Sequence, residues 1–125
     1  MMPPQVACVG AGNIGRSWAI AYAMGGAEVR LFDVSQASLA RARTAIEAAA
    51  AELVRAGRVA SLDTLRGNIR VVATLAEALD GASHVQESVI DDLDVKTQVF
   101  RELDTLAHPS ATIGSSAGEM EVSKF

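Results

Sequence analysis

The chain has 125 residues, of which half are hydrophobic and 21% charged, a balance that fits one globular domain and excludes wholesale disorder. Its net charge is −4 and it has no basic run longer than two residues, so nucleic acid is excluded as an expected partner. It has no stretch of about eighteen uninterrupted apolar residues to span a membrane, and its single cysteine, Cys8, excludes an intrachain disulfide.

In chain order, residues 1–5 lack a basic segment followed by a long apolar one, so they are not read as a signal peptide, and the cytoplasm is the expected location. QVACV, residues 5–9, is a short apolar run closed by Gly10 and predicts a buried strand, with Cys8 packed inside. Ile14, Trp18 and Ala21/Tyr22 have helical spacing over residues 13–24, and Gly25-Gly26 stops that helix. EVRLF, residues 28–32, predicts a second strand ended by Asp33.

Ser35 is placed to cap a long helix over residues 36–56, whose apolar face is Leu39, Ala42, Ile46, Ala49/Ala50 and Leu53. Residues 58–68 read as a polar connector with a short helix at 62–65. A brief strand at 69–72, a short helix at 75–79 and a strand at 84–87 follow. Residues 91–107 predict the best-marked later helix. Asp91, Asp92 and Asp94 fall in its first turn, and Val95, Val99, Leu103 and Leu106 form its stripe. A last strand is expected at 112–115. Aromatic residues are few, so the core should be aliphatic.

Strands alternating with helices predict an α/β fold: a Rossmann-type doubly wound parallel sheet with right-handed crossovers. No repeat or linker is visible, and one domain is read over residues 1–125.

Gly10-Ala11-Gly12-Asn13-Ile14-Gly15 spells G-x-G-x-x-G. It follows a predicted strand, opens a predicted helix, and has Asp33 18 residues beyond its last glycine at the end of the next strand. In that context Gly10 permits the tight turn, Gly12 lets a diphosphate approach the backbone, and Gly15 lets the helix pack closely. The free amides near Asn13 and Ile14 would face the phosphates. Asp33 would accept from the adenosine ribose and repel a 2′-phosphate, which favours NAD over NADP. Two other readings stay open: a glycine turn without a ligand, and the same sheet holding FAD or S-adenosylmethionine. Arg16 is read as a solvated helix charge in preference to a diphosphate contact. His84 and His108 are read as surface or helix-end residues, with no carboxylate arranged to make either a general base. No metal ligand set is read.

Residues 6–15, Phe32-Asp33, and the run ESVIDDLDVK at 87–96 leading into residues 99–103 resemble the N-terminal domain of the 3-hydroxyacyl-CoA dehydrogenases. Gly15-Arg16-Ser17-Trp18-Ala19, residues 84–89 and Ser123-Lys124 resemble most the lambda-crystallin/L-gulonate 3-dehydrogenase branch. The resemblance implies an NAD-dependent dehydrogenase that passes the hydride of a secondary 3-hydroxyl to NAD. The substrate is a 3-hydroxyacyl-CoA or a small 3-hydroxy acid such as L-gulonate, and fatty-acid metabolism is the implied setting. It implies cofactor contacts at Asp91, in place of the family's longer glutamate, and at Lys96, and it brings Ser116 or Gly118 to a serine that holds the substrate oxygen. The family's catalytic His and Glu fall beyond residue 125, as does the helical domain that forms a homodimer. The Rossmann domain is therefore expected to be truncated, its sheet incomplete at the C-terminal end, and this chain alone to be catalytically inactive. A non-catalytic NAD(H)-binding module and a structural lens-type protein are the rival readings.

Overall fold

The computed structural model describes residues 3–59, 61–90 and 92–116. Five strands, β1 (Gln5–Val9), β2 (Glu28–Phe32), β3 (Ile69–Val71), β4 (His84–Glu87) and β5 (Thr112–Ser115), form one parallel sheet in the order β3-β2-β1-β4-β5. Five helices connect them: α1 (Asn13–Met24), α2 (Gln36–Arg55), α3 (Leu62–Asn68), α4 (Leu75–Leu79) and α5 (Leu93–Leu106). The chain winds from β1 out to β3, then returns to the other side of β1 for β4 and β5. A crevice therefore opens between the C-terminal ends of β1 and β4, where the winding reverses.

β1 is the central strand, and both its faces are covered, which is why QVACV is apolar without alternating. Val6 and Cys8 point into a core shared with α1, α2 and α3. Ala7 and Val9 point into a second core shared with α4 and α5. The fully and nearly buried core residues are aliphatic or alanine apart from Cys8, as the composition predicts. The small side chains Ala19, Ala23 and Ala42 bring α1 and α2 close to the sheet face.

Four helices begin on a side-chain cap. Ser35, Ser61, Thr74 and Asp92 each accept from the amide three residues on. Asp92 is therefore the cap of α5 rather than part of its first turn. Asp91, expected beside it, lies outside the described residues. The expected short helix at 62–65 runs on to Asn68. Leu65 buries against α2, and Arg66 pairs with Glu47 of α2 at 2.7 Å, contacts that local sequence does not reveal. On α5 the expected stripe holds at Val99 and Leu103. Leu106 is exposed, however, and Lys96 takes a buried place.

Candidate functional site

A cleft of about 810 Å³ lies over the C-terminal ends of β1, β2 and β4, with α5 as its far wall. Gly10, Gly12, Asn13 and Ile14 line it at the β1–α1 turn, and Asp33 lines it at the end of β2. Val34, Leu75, Val95 and Val99 give it an apolar side, while Ser88, Val89 and Ser116 wall the β4–β5 side.

The three glycines of the turn are in different situations. Gly10 has φ +110°, which side chains rarely adopt, and a Cβ there would lie 2.6 Å from the Ser88 carbonyl. A Cβ on Gly15 would lie 1.8 Å from the Gly10 carbonyl oxygen, so α1 packs on the turn only without a side chain there. Gly12 has φ −72° and ψ −169°, open to any residue, and a Cβ on it would meet nothing within 4 Å. It is also the N-cap of α1, and among the described helices α1 alone has no side-chain cap.

Asp33 is tied to this turn. Its Oδ2 accepts from the Ala11 amide at 2.8 Å and its Oδ1 from the Ser35 amide at 2.8 Å. Each carboxylate oxygen has two acceptor sites, so one on each is left for a ribose hydroxyl. Asp33 thus braces the glycine turn as well as facing the cleft, a double role that its position at a strand end does not disclose. Arg16 is not the solvated charge expected. It is half-buried, bonds the Ala11 carbonyl at 3.4 Å and the Asn13 side chain, and so clamps the turn from outside the cleft.

Lys96, to which the resemblance gives a cofactor contact, is not on the exposed face of α5. Its side chain is wholly buried, and its Nζ lies 2.7 Å from Glu87 Oε2 and 3.1 Å from the Val89 carbonyl. It does not line the cleft. Ser116 does line it, and its Oγ accepts from Gln86 Nε2 at 3.0 Å and lies 2.9 Å from Ser88 Oγ. Gly118, the other candidate for the substrate serine position, lies outside the described residues. His84 is half-buried rather than a free surface residue. Its ring meets Thr112 Oγ1 at 2.7 Å and Gln86 Oε1 at 3.2 Å, and packs on Tyr22. It begins β4, about 10 Å of strand away from the cleft end. His108 follows α5, exposed and bonded to Ser110. Burial pushes the Cys8 thiol up to about 12, which keeps it protonated and inert.

Sequence reasoning missed Glu87, Gln86 and the α5 wall of the cleft. The available signal was two polar residues adjacent in a strand bordering the central one, at positions that had to be inside.

A sheet that reverses its winding beside a bare helix start, with an acid one strand over, is how dinucleotide-binding domains are built. The fold and site define this class. The chain belongs to the 3-hydroxyacyl-CoA dehydrogenase family, whose NAD-binding domain matches residues 5–125. NAD is accordingly its cofactor. The chain is 33% identical over 123 residues to the human lambda-crystallin homolog, covering 96% of this chain and 39% of that protein. It is 38% identical over 112 residues to the L-carnitine dehydrogenase of Streptomyces coelicolor, covering 90% of this chain and 35% of that one. The structure of 3-hydroxybutyryl-CoA dehydrogenase from Escherichia coli K12 superposes with a TM-score of 0.88 at 25% identity, over 99% of this chain and 26% of that one. The chain thus spans about two fifths of the curated relatives' length. No helix among the described residues is long and apolar enough to cross a membrane.

Proposed function

We propose that this chain is the cofactor half of a dehydrogenase that oxidises the secondary hydroxyl of a 3-hydroxy substrate. The substrate class favoured is a small 3-hydroxy acid over an acyl-CoA. Among the close relatives, lambda-crystallins and carnitine dehydrogenases recur, and carnitine is itself a small 3-hydroxy acid. Bound NAD supplies the hydride acceptor. Gly10, Gly12 and Gly15 shape the turn, and the uncapped amides at Asn13 and Ile14 hold the diphosphate. Asp33 takes the adenosine ribose. Asp91 is assigned a cofactor contact and Ser116 the substrate oxygen, which must lie at the nicotinamide end, while Lys96 acts indirectly. The catalytic base and the groups that select the substrate lie in the rest of the enzyme, so this chain alone binds the cofactor and does not turn over. Oligomeric contacts, a homodimer in the whole enzyme, and a cytoplasmic setting complete the reading.

One observation carries it. The folded chain has no packing need of a glycine at position 12: its backbone suits any residue, and a Cβ there would meet nothing within 4 Å. A glycine there is explained by something from outside that must reach the main chain.

Calorimetric titration of the chain with NAD and NADP tests this. Gly12→Val should fold normally and lose NAD affinity by a hundredfold or more. Asp33→Ala should lower the ratio of NAD to NADP affinity about tenfold, the scale of one or two charge-assisted hydrogen bonds. Unchanged binding by Gly12→Val, or an unchanged ratio in Asp33→Ala, would overturn the assignment.

A further inference from the structure

The β4 side of the cleft is walled by Ser88, Val89 and Ile90, and behind that wall lies a charge pair removed from water. Glu87 and Lys96 are both wholly buried and 2.7 Å apart. A buried ion pair is weak evidence for stability, because well-packed apolar residues in its place commonly do as well or better. What the pair holds is more informative.

Glu87 Oε2 accepts from the Val89 amide at 2.7 Å, and Lys96 Nζ donates to the Val89 carbonyl at 3.1 Å. Both backbone polar groups of one cleft residue are thus gripped by the two members of the pair. The other carboxylate oxygen, Oε1, accepts from Ser115 Oγ at 2.6 Å, and the Glu87 carbonyl accepts from the Ser116 amide at 2.8 Å. The ends of β4, β5 and α5 are therefore joined through one carboxylate. Neither Glu87 nor Lys96 itself lines the cleft.

In a sheet of this order the diphosphate lies at the reversal beside β1, with the adenosine over β2 and the nicotinamide over β4. We propose that Glu87 and Lys96 are positioning residues that fix the Val89 backbone and the end of β5 at Ser115 and Ser116, and so shape the nicotinamide half of the cleft. This rests on the cofactor reading above. It moves the role of Lys96 from touching the cofactor to holding the wall that touches it.

The test compares NAD with ADP-ribose, which lacks only the nicotinamide, by calorimetry on the full chain. Glu87→Gln and Lys96→Met should each lower NAD affinity tenfold or more and change ADP-ribose affinity by less than threefold. The charge-free double variant, Glu87→Leu with Lys96→Met, should fold and show the same split. Equal losses of both ligands, or no loss of either, would overturn the proposal. So would a double variant with the wild-type ratio, even if the single variants do not fold. Should all variants unfold, hydrogen exchange at the Val89 amide of the wild type decides. Protection raised by NAD and not by ADP-ribose sustains the proposal, and equal protection by both overturns it. Wild type that binds neither ligand would remove the cofactor reading and this proposal with it.

Discussion

Cys8 sits on the central strand with its side chain 1% exposed, and burial holds its thiol up at about 12 instead of 9.0. The native state therefore keeps this proton after an unfolded chain has lost it. Stability from this group is complete below pH 9 and falls as pH rises from there towards 12, because the unfolded thiolate draws the equilibrium. Urea midpoints should decline across that window in wild type and decline less in Cys8→Ala. Parallel curves for the two would contradict the burial argument. The thiol's burial was legible from its apolar neighbours. The burial of Lys96 was not. Helical spacing over 91–107 offers Lys96 as one more polar residue between Val95 and Val99, and whether a lysine turns inwards depends on a carboxylate nine residues back on another element.

α1 meets β1 across the glycine turn, and the two later glycines of that turn separate packing from ligand approach. Gly15→Ala forces a Cβ to within 1.8 Å of a backbone oxygen, so α1 must move off the sheet. Gly12→Ala adds a methyl where nothing lies within 4 Å. A thermal melt should show Gly15→Ala lowered by ten degrees or more and Gly12→Ala within about two degrees of wild type. An equal fall in both would mean the turn has been misassigned. At the same scale, β4 explains its own polar residues. Gln86 and Glu87 point to opposite faces of the sheet, and each reaches a serine at the end of β5, Ser116 just beyond the strand on one face and Ser115, its last residue, on the other. The strand was readable from HVQE and its flanks, but its partners were not, since parallel pairing of β4 with β5 joins residues 28 apart.

Across the whole molecule, charge sets the terms on which an anionic ligand enters. The cleft is lined by Asp33, Asp94 and Glu102, and by no lysine or arginine among the described residues. With a net charge of −4 on the chain as well, attraction comes from short-range amide and helix-end dipoles while long-range charge repels. Salt screens the second and leaves the first, with a screening length of about 30 Å at 0.01 M and about 10 Å at 0.1 M. NAD affinity should thus stay level or rise between those concentrations. A tenfold fall would point to a cationic contact and undo this account. The same cleft has its far wall on α5, although α5 begins 78 residues after Gly15, the last glycine of the turn. Strand order, not proximity along the chain, brings them together.

By itself the sequence determined the order of strands and helices, the glycine turn with its acid one strand later, and an aliphatic core. These depend on residues within a few positions of one another: alternation, helical spacing, caps and a backbone that bends only at glycine. Only the tertiary structure decided which polar side chains go inside, that Asp33 braces Ala11, that Glu87 and Lys96 grip Val89, and which walls enclose the cleft. Those outcomes depend on groups from different elements meeting where water is excluded, and the energy of such a meeting is written in no local stretch of the chain.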